Sequence, residues 1–279
     1  PVGGAGVLAG KHARLTAAGC EFRSNHGNGV LVIERTTAEL TACTFEKNGD
    51  AGVYARTAGA VTVTRSACRE NHTGVWVEAA AAAAITANDC ERNAESGIVL
   101  SGHVGGSVVV RGNTCAGNGR DGVHVRTAAA PTVVGNTCTV NRRNGVAFTD
   151  QSAGTARGNA CTLNGRHGLR ACDDAAPTLE GNTAEGNAGC GIQYEERAAG
   201  VGRGNVCRDN RGDGIRLDGT SAPQLADNEA RHNDGYGIAI AEPGSKADVD
   251  PKGNTAEENR AGTVLDPRPK KGSWWGRKV

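Results

Sequence analysis

A glycine recurs along almost the whole chain at Gly29, Gly52, Gly74, Gly97, Gly122, Gly145, Gly168, Gly191, Gly214, Gly237 and Gly262. The interval is 23 residues, broken once by 22 and twice by 25. Val, Ile or Leu follows every one of these glycines except Gly262, which Thr follows. A period that holds this closely means one supersecondary unit stacked on copies of itself, and it constrains the fold more than any single residue does.

Each unit holds two short apolar stretches with turns between them. One follows the glycine, as in Val123-His124-Val125 or Ile215-Arg216-Leu217, and alternates inward and outward like a half-buried strand. The second lies about ten residues on, as in Val61-Thr62-Val63 or Thr132-Val133-Val134. An Asn-x-Cys segment makes a third short side. No unit has room for an amphipathic helix. Three strands per coil describe an all-β, right-handed parallel β-helix of about eleven coils. At a strand spacing of about 4.8 Å this is a rod about 50 Å long. A leucine-rich repeat has a similar period, but its leucine positions here hold Val, Ile, Ala and Cys.

Two asparagine columns punctuate the coils. Asn113, Asn136, Asn159, Asn182, Asn205, Asn228 and Asn254 share one position. Asn71, Asn93, Asn118, Asn141, Asn164, Asn187, Asn210, Asn233 and Asn259 share another. Asn tolerates left-handed backbone at a sharp turn, and stacked amides hydrogen-bond along a column. These residues are expected to build turns and ladders, not to bind a ligand.

The coil Asn-x-Cys/Ala…Asn-x-x-x-Gly-Ile/Val resembles the right-handed β-helix repeat proteins of the pectate-lyase-like superfamily over roughly residues 18 to 264. The resemblance implies the fold. It leaves function open, because the family includes polysaccharide lyases, hydrolases and epimerases. It also includes non-catalytic modules, such as the substrate-binding half of some F-box proteins.

One uninterrupted period makes the 279 residues a single domain. Residues 1–17 are expected to form an N-terminal cap or partial coil, 18–264 the β-helix, and 265–279 a basic tail broken by Pro267 and Pro269. Trp274 and Trp275 in that tail are expected to cover the open end of the last coil or to dock on a partner. The net charge of +1 gives no pull toward nucleic acid. No apolar run is long enough to span a membrane.

The chain has ten cysteines. Cys20, Cys43, Cys68, Cys90, Cys115, Cys138, Cys161 and Cys207 fall at or near one repeat position, where Ala184, Ala230 and Ala256 also occur. A site shared by Cys and Ala is small and buried, so a stack of free thiols is expected and with it a cytoplasmic location. Cys172 and Cys190 lie off the column and are expected to be exposed.

The outward residue after each glycine forms a face on which a ligand can lie. Tyr54, Trp76, His124, Arg170 and Arg216 are the binding candidates on it. Asp173, Glu195 and Asp218 follow their glycines by four or five residues and are the candidate acidic cluster. Carboxylates grouped this way suit glycoside hydrolysis, or Ca²⁺ as an alternative to having no cofactor. Tyr194 is the one aromatic residue near them, and the histidines suggest no catalytic pair. The leading expectation is a non-catalytic scaffold that recognises a protein partner or an extended polymer such as a polysaccharide. The alternative is a polysaccharide-active enzyme using the acidic cluster.

Overall fold

The computed structural model describes residues 4–80, 82–104, 107–250 and 253–268. The described chain winds through three parallel sheets of 12, 11 and 11 strands. Each coil gives one strand to each sheet and pairs with the coil before and after it. The inward residues show why the repeat stacks. Val123, Val146, Leu169, Ile192, Ile215 and Ile238 lie in one register column of the first sheet. All six are at most 1% exposed. Burying each such side chain contributes about 1.5–3 kcal/mol relative to leaving it in water.

The recurring glycine answers to the closeness of the next coil. A Cβ on Gly122 would stand 2.7 Å from the carbonyl oxygen of Gly145 and 2.9 Å from the sulfur of Cys138. No side chain fits there without separating the coils.

The asparagines form both expected ladders by a different backbone device. The left-handed residue is the one before the asparagine, as in Gly112 (φ 60°) before Asn113, Val140 (φ 55°) before Asn141 and Leu163 (φ 55°) before Asn164. No asparagine among the described residues has a positive φ. The turn points each asparagine inward, where its amide bridges three coils. Asn118 Nδ2 donates to Asn141 Oδ1 (2.9 Å) on one neighbour and to the carbonyl of Cys90 (3.0 Å) on the other. Its backbone N–H also donates to Asn141 Oδ1 (3.1 Å).

Inside the third sheet, Phe22, Phe45, Cys68, Cys90, Cys115, Cys138, Cys161, Ala184, Cys207, Ala230 and Ala256 stand in one column. The two phenylalanine rings stack at 5.2 Å. All ten cysteines are free. Cys43 lies outside the column: its N–H donates to Ser66 Oγ, and the Ser66 N–H donates to Asn88 Oδ1 at the head of the first asparagine ladder. Cys172 and Cys190 correct the expectation of exposed thiols, being 3% and 5% exposed.

The first coil is in register from its first strands. Val7–Ala9 pairs with Val30–Glu34, and Arg14–Ala18 pairs with Thr37–Thr41. At the other end Gly262–Leu265 is the last strand. Beyond it Arg268 pairs with Asp266 and donates to the carbonyl of Ala247 at 2.6 Å. Trp274 and Trp275 lie outside the described residues. Among the described residues no helix is long and apolar enough to cross a membrane.

Candidate functional site

The outward column of the first sheet runs Leu31, Tyr54, Trp76, Val99, His124, Ala147, Arg170, Gln193, Arg216, Ala239. Outward residues of a convex coil would be exposed, yet Gln193 is 2% and Ala239 0% exposed. Side chains just before each glycine and just after each strand rise beside the column. The column is therefore the floor of a groove with two walls.

At one end the floor is aromatic. The rings of Tyr54 and Trp76 lie 4.8 Å apart, tilted by 30°. The Arg126 guanidinium sits 5.2 Å from the centre of the Trp76 ring, a cation–π contact. Trp76 Nε1 donates to Ser101 Oγ at 2.9 Å, and the Tyr54 hydroxyl donates to Glu78. Burial and that carboxylate push the Tyr54 phenol up to about 12.

Further along, polar groups replace the aromatic ones. His124 and Arg216 have a partner on each wall, and Arg170 and Gln193 have one on the second wall. His124 lies 3.8 Å from Asp121 on one side and 3.1 Å from Thr149 on the other. Arg170 donates through Nε (3.0 Å) and Nη2 to Glu195. Gln193 Nε2 donates to Asp218 at 2.6 Å. Arg216 donates through Nε to Asp218 (3.0 Å) and through Nη1 to Asp213 (3.0 Å), so it spans the floor between two carboxylates. The Asp218 hydrogen bond, reinforced by Asp213, raises the Arg216 pKa against the opposing effect of burial.

A hydrogen-bonded relay links the first wall. Asn144 Nδ2 donates to Asp121 Oδ1 (2.8 Å), the His167 N–H to Asn144 Oδ1 (3.2 Å) and the Cys190 N–H to His167 Nδ1 (3.0 Å). Because His167 Nδ1 accepts, a neutral His167 carries its proton on Nε2. Burial lowers the His167 pKa to about 4 and also lowers that of His124.

The structure thus brings Tyr54, Trp76, His124, Arg170 and Arg216 onto one floor, with Glu195 and Asp218 on one wall. It does not bring Asp173 to them. Ala171 pairs with Tyr194 and Tyr194 with Leu217, so the residue in line with Glu195 and Asp218 is Cys172. Asp173 is a left-handed turn residue (φ 60°) whose carboxylate accepts from the Asp150 N–H (3.0 Å) and the Cys172 thiol (3.1 Å). Those two bonds, the backbone one first, lower its pKa. Tyr194 points inward and is fully buried, so it offers no platform for a sugar. The residue before each glycine escaped the sequence reading. It is small in Ala51, Thr73 and Ser96, then becomes Asp121, Asn144, His167, Cys190 and Asp213, and that change was the available signal.

The family described as right handed beta helix region matches residues 5–159, 102–211 and 143–266. The chain belongs to this family. Among solved structures, the β-helix is similar to a variant of the periplasmic alginate epimerase AlgG, with 14% identity and a TM-score of 0.63, over 91% of this chain and 73% of that one. It is also similar to the A-module of the Azotobacter vinelandii mannuronan C-5 epimerase AlgE6, with 15% identity and a TM-score of 0.51, over 95% and 83%. At these identities the likeness is one of fold. A sequence search of curated proteins finds no match. Among the described residues of the β-helix, no group of three or more His, Cys, Asp or Glu side chains is placed to hold a metal ion. A depression of about 170 Å³ bordered by Glu229, Arg231, Thr255 and Glu257 lies on the third sheet, away from the groove.

Proposed function

We propose that this β-helix is a polysaccharide-active enzyme that lays an extended sugar chain along the groove of its first sheet. The observation that carries the reading is Arg216 held between Asp213 and Asp218, one on each wall. A sugar seated on that floor meets a carboxylate on either side. The two are one guanidinium apart, a separation of the order of the 5–9 Å that glycosidase carboxyl pairs span. Arg216 pairs with both and favours them as carboxylates, so one activates water or attacks the anomeric carbon, and the leaving glycosidic oxygen takes its proton from solvent. Arg216 and Gln193 orient Asp218, and Arg170 orients Glu195 on the adjacent coil. Tyr54 and Trp76 supply a stacking surface further along the same floor.

Two neighbours of similar fold act on alginate or mannuronan by their names, which supports an extended polysaccharide as substrate. The groove favours this reading over a non-catalytic scaffold, because its charged side chains are already held in place, Arg216 by carboxylates on both walls and Arg170 by Glu195 on one. Asp213 takes the place that the sequence reading gave to Asp173. The test is a screen of neutral and acidic polysaccharides, with and without Ca²⁺, for new reducing ends and unsaturated products. Turnover is expected to fall at least about 100-fold in Asp213→Asn and Asp218→Asn. It should persist in Asp173→Asn. Full activity in both groove variants would overturn the assignment.

A further inference from the structure

Coil-to-coil contacts on this rod pair opposite charges. Arg203 stacks on Glu180 at 2.6 Å, Arg208 on Glu185 at 2.7 Å, Arg197 on Asp174 at 2.6 Å and Arg120 on Glu95 at 2.8 Å. Like charges also stack, as Arg208 beside Arg231 in the third sheet and Asp150 beside Asp173 at a turn, and Arg120, Arg143 and Arg166 make one such column. The Arg143 N–H donates to the carbonyl of Arg120 (2.9 Å) and the Arg166 N–H to the carbonyl of Arg143 (2.8 Å), so three arginines occupy the same turn of three successive coils. Glu95 neutralises the first. Arg143 and Arg166 are exposed, and neither forms a salt bridge within the described residues. Arg142 adds a further exposed guanidinium beside them. Like charges stacked at the same turn of neighbouring coils repel one another, and a bound counter-charge would relieve that repulsion.

The position of this column ties it to the groove. Arg120, Arg143 and Arg166 each immediately precede a wall residue, Asp121, Asn144 and His167. Arg120 and Arg166 are close enough to disfavour protonation of His124 and His167, respectively. The coils step by about 4.8 Å, so the column is a rail of positive charge parallel to the groove floor. It ends at Arg166, where Gly189 and Gly212 follow in the column. The carboxylate segment around Asp213 and Asp218 begins just beyond.

We propose that Arg120, Arg143 and Arg166 form an anion-binding rail, and that the polysaccharide taken by the groove is a polyanion carrying carboxylate or sulfate groups. This rests on the reading of the groove as a polysaccharide site. Acidic groups of successive sugars pair with the rail, and the chain running on past Arg166 lies over the carboxylate pair.

The test measures affinity for length-matched polyuronate, sulfated and neutral oligosaccharides at low and high salt. The wild-type protein is expected to prefer an anionic chain, with affinity falling as salt rises. Arg143→Gln combined with Arg166→Gln should lose about 10-fold in that affinity and melt no lower than the wild type. Arg157→Gln, an exposed arginine of the second sheet, should lose none. The uronate and sulfate arms identify the acidic group, and preference for either supports the rail. Tighter binding of the neutral chain, or an equal loss in Arg157→Gln, overturns the rail and leaves the groove reading standing. Binding of no oligosaccharide at all overturns both.

Discussion

The Tyr194 hydroxyl lies 3.0 Å from where a Cβ on Gly202 would stand. The other coils hold Val133, Ala156, Leu179 and Leu225 in the column of Gly202. Absence of a side chain there makes room for the one tyrosine inside the rod. Its hydroxyl has no hydrogen-bond partner, and burial raises its pKa. Gly202→Ala is expected to cost about 1–3 kcal/mol, because the new methyl also meets Leu225 at 2.8 Å. Tyr194→Phe should be neutral or stabilising, since it removes an unsatisfied polar group. In the double variant the cost of the alanine should shrink. Urea denaturation of the four proteins measures that coupling, and strict additivity would count against the contact.

The asparagine ladder predicts a position-dependent cost. Asn164 Oδ1 accepts from the N–H (3.1 Å) and Nδ2 (3.0 Å) of Asn141, and its own Nδ2 donates to Asn187 (3.0 Å) and to the carbonyl of Cys138 (3.1 Å). Asn164→Ala strands several buried groups and should cost about 2–4 kcal/mol. Asn259 ends the ladder and is half-buried, so Asn259→Ala should cost less. Melting temperatures of the two variants give the order, and equal losses would mean that ladder burial does not set the cost.

The fold was legible because period, strand alternation and the Asn and Cys columns are all one-dimensional signals. Turn handedness was less so: Val140 and Leu163 carry left-handed backbone that their side chains disfavour, and only the inward pull of the following asparagine explains it. The floor of the groove could be read from the residue between two apolar ones. Its walls required knowing that turns rise beside the floor, so Asp121, His167 and Asp213 were missed. Asp173 was grouped with Glu195 and Asp218 because counting from the glycine leaves a one-residue error, and in a strand one residue changes the direction of the side chain.

Thiol reactivity follows burial. Cys20 is exposed and the other nine cysteines are buried. Burial pushes both Cys172 and Cys190 up to about 12, which removes the reactive thiolate at neutral pH. A thiol reagent at pH 8 should modify one cysteine quickly in the native protein and ten after denaturation. Peptide mapping should place the fast one at Cys20. Rapid labelling of Cys172 or Cys190 would contradict the walls described for the groove.

His167 gives the rod an acid-sensitive point. An unfolded histidine titrates near 6.5, whereas burial holds folded His167 at about 4. Glu195 and Asp218 favour its protonation, and Arg170 and Arg166 oppose it. Between those two values the unfolded state binds more protons than the folded state, so stability falls as pH falls. The contribution of His167 is complete above about pH 6.5 and is lost toward pH 4. The loss is at most about 3 kcal/mol. His167→Asn keeps a side-chain acceptor for the Cys190 N–H and removes the titrating group. Denaturation of both proteins from pH 7 to pH 4.5 should give a steeper decline for the wild type. Parallel profiles, or an NMR titration of the His167 ring near 6.5, would show that the ring is solvated and that the relay from Asp121 to Cys190 does not hold it.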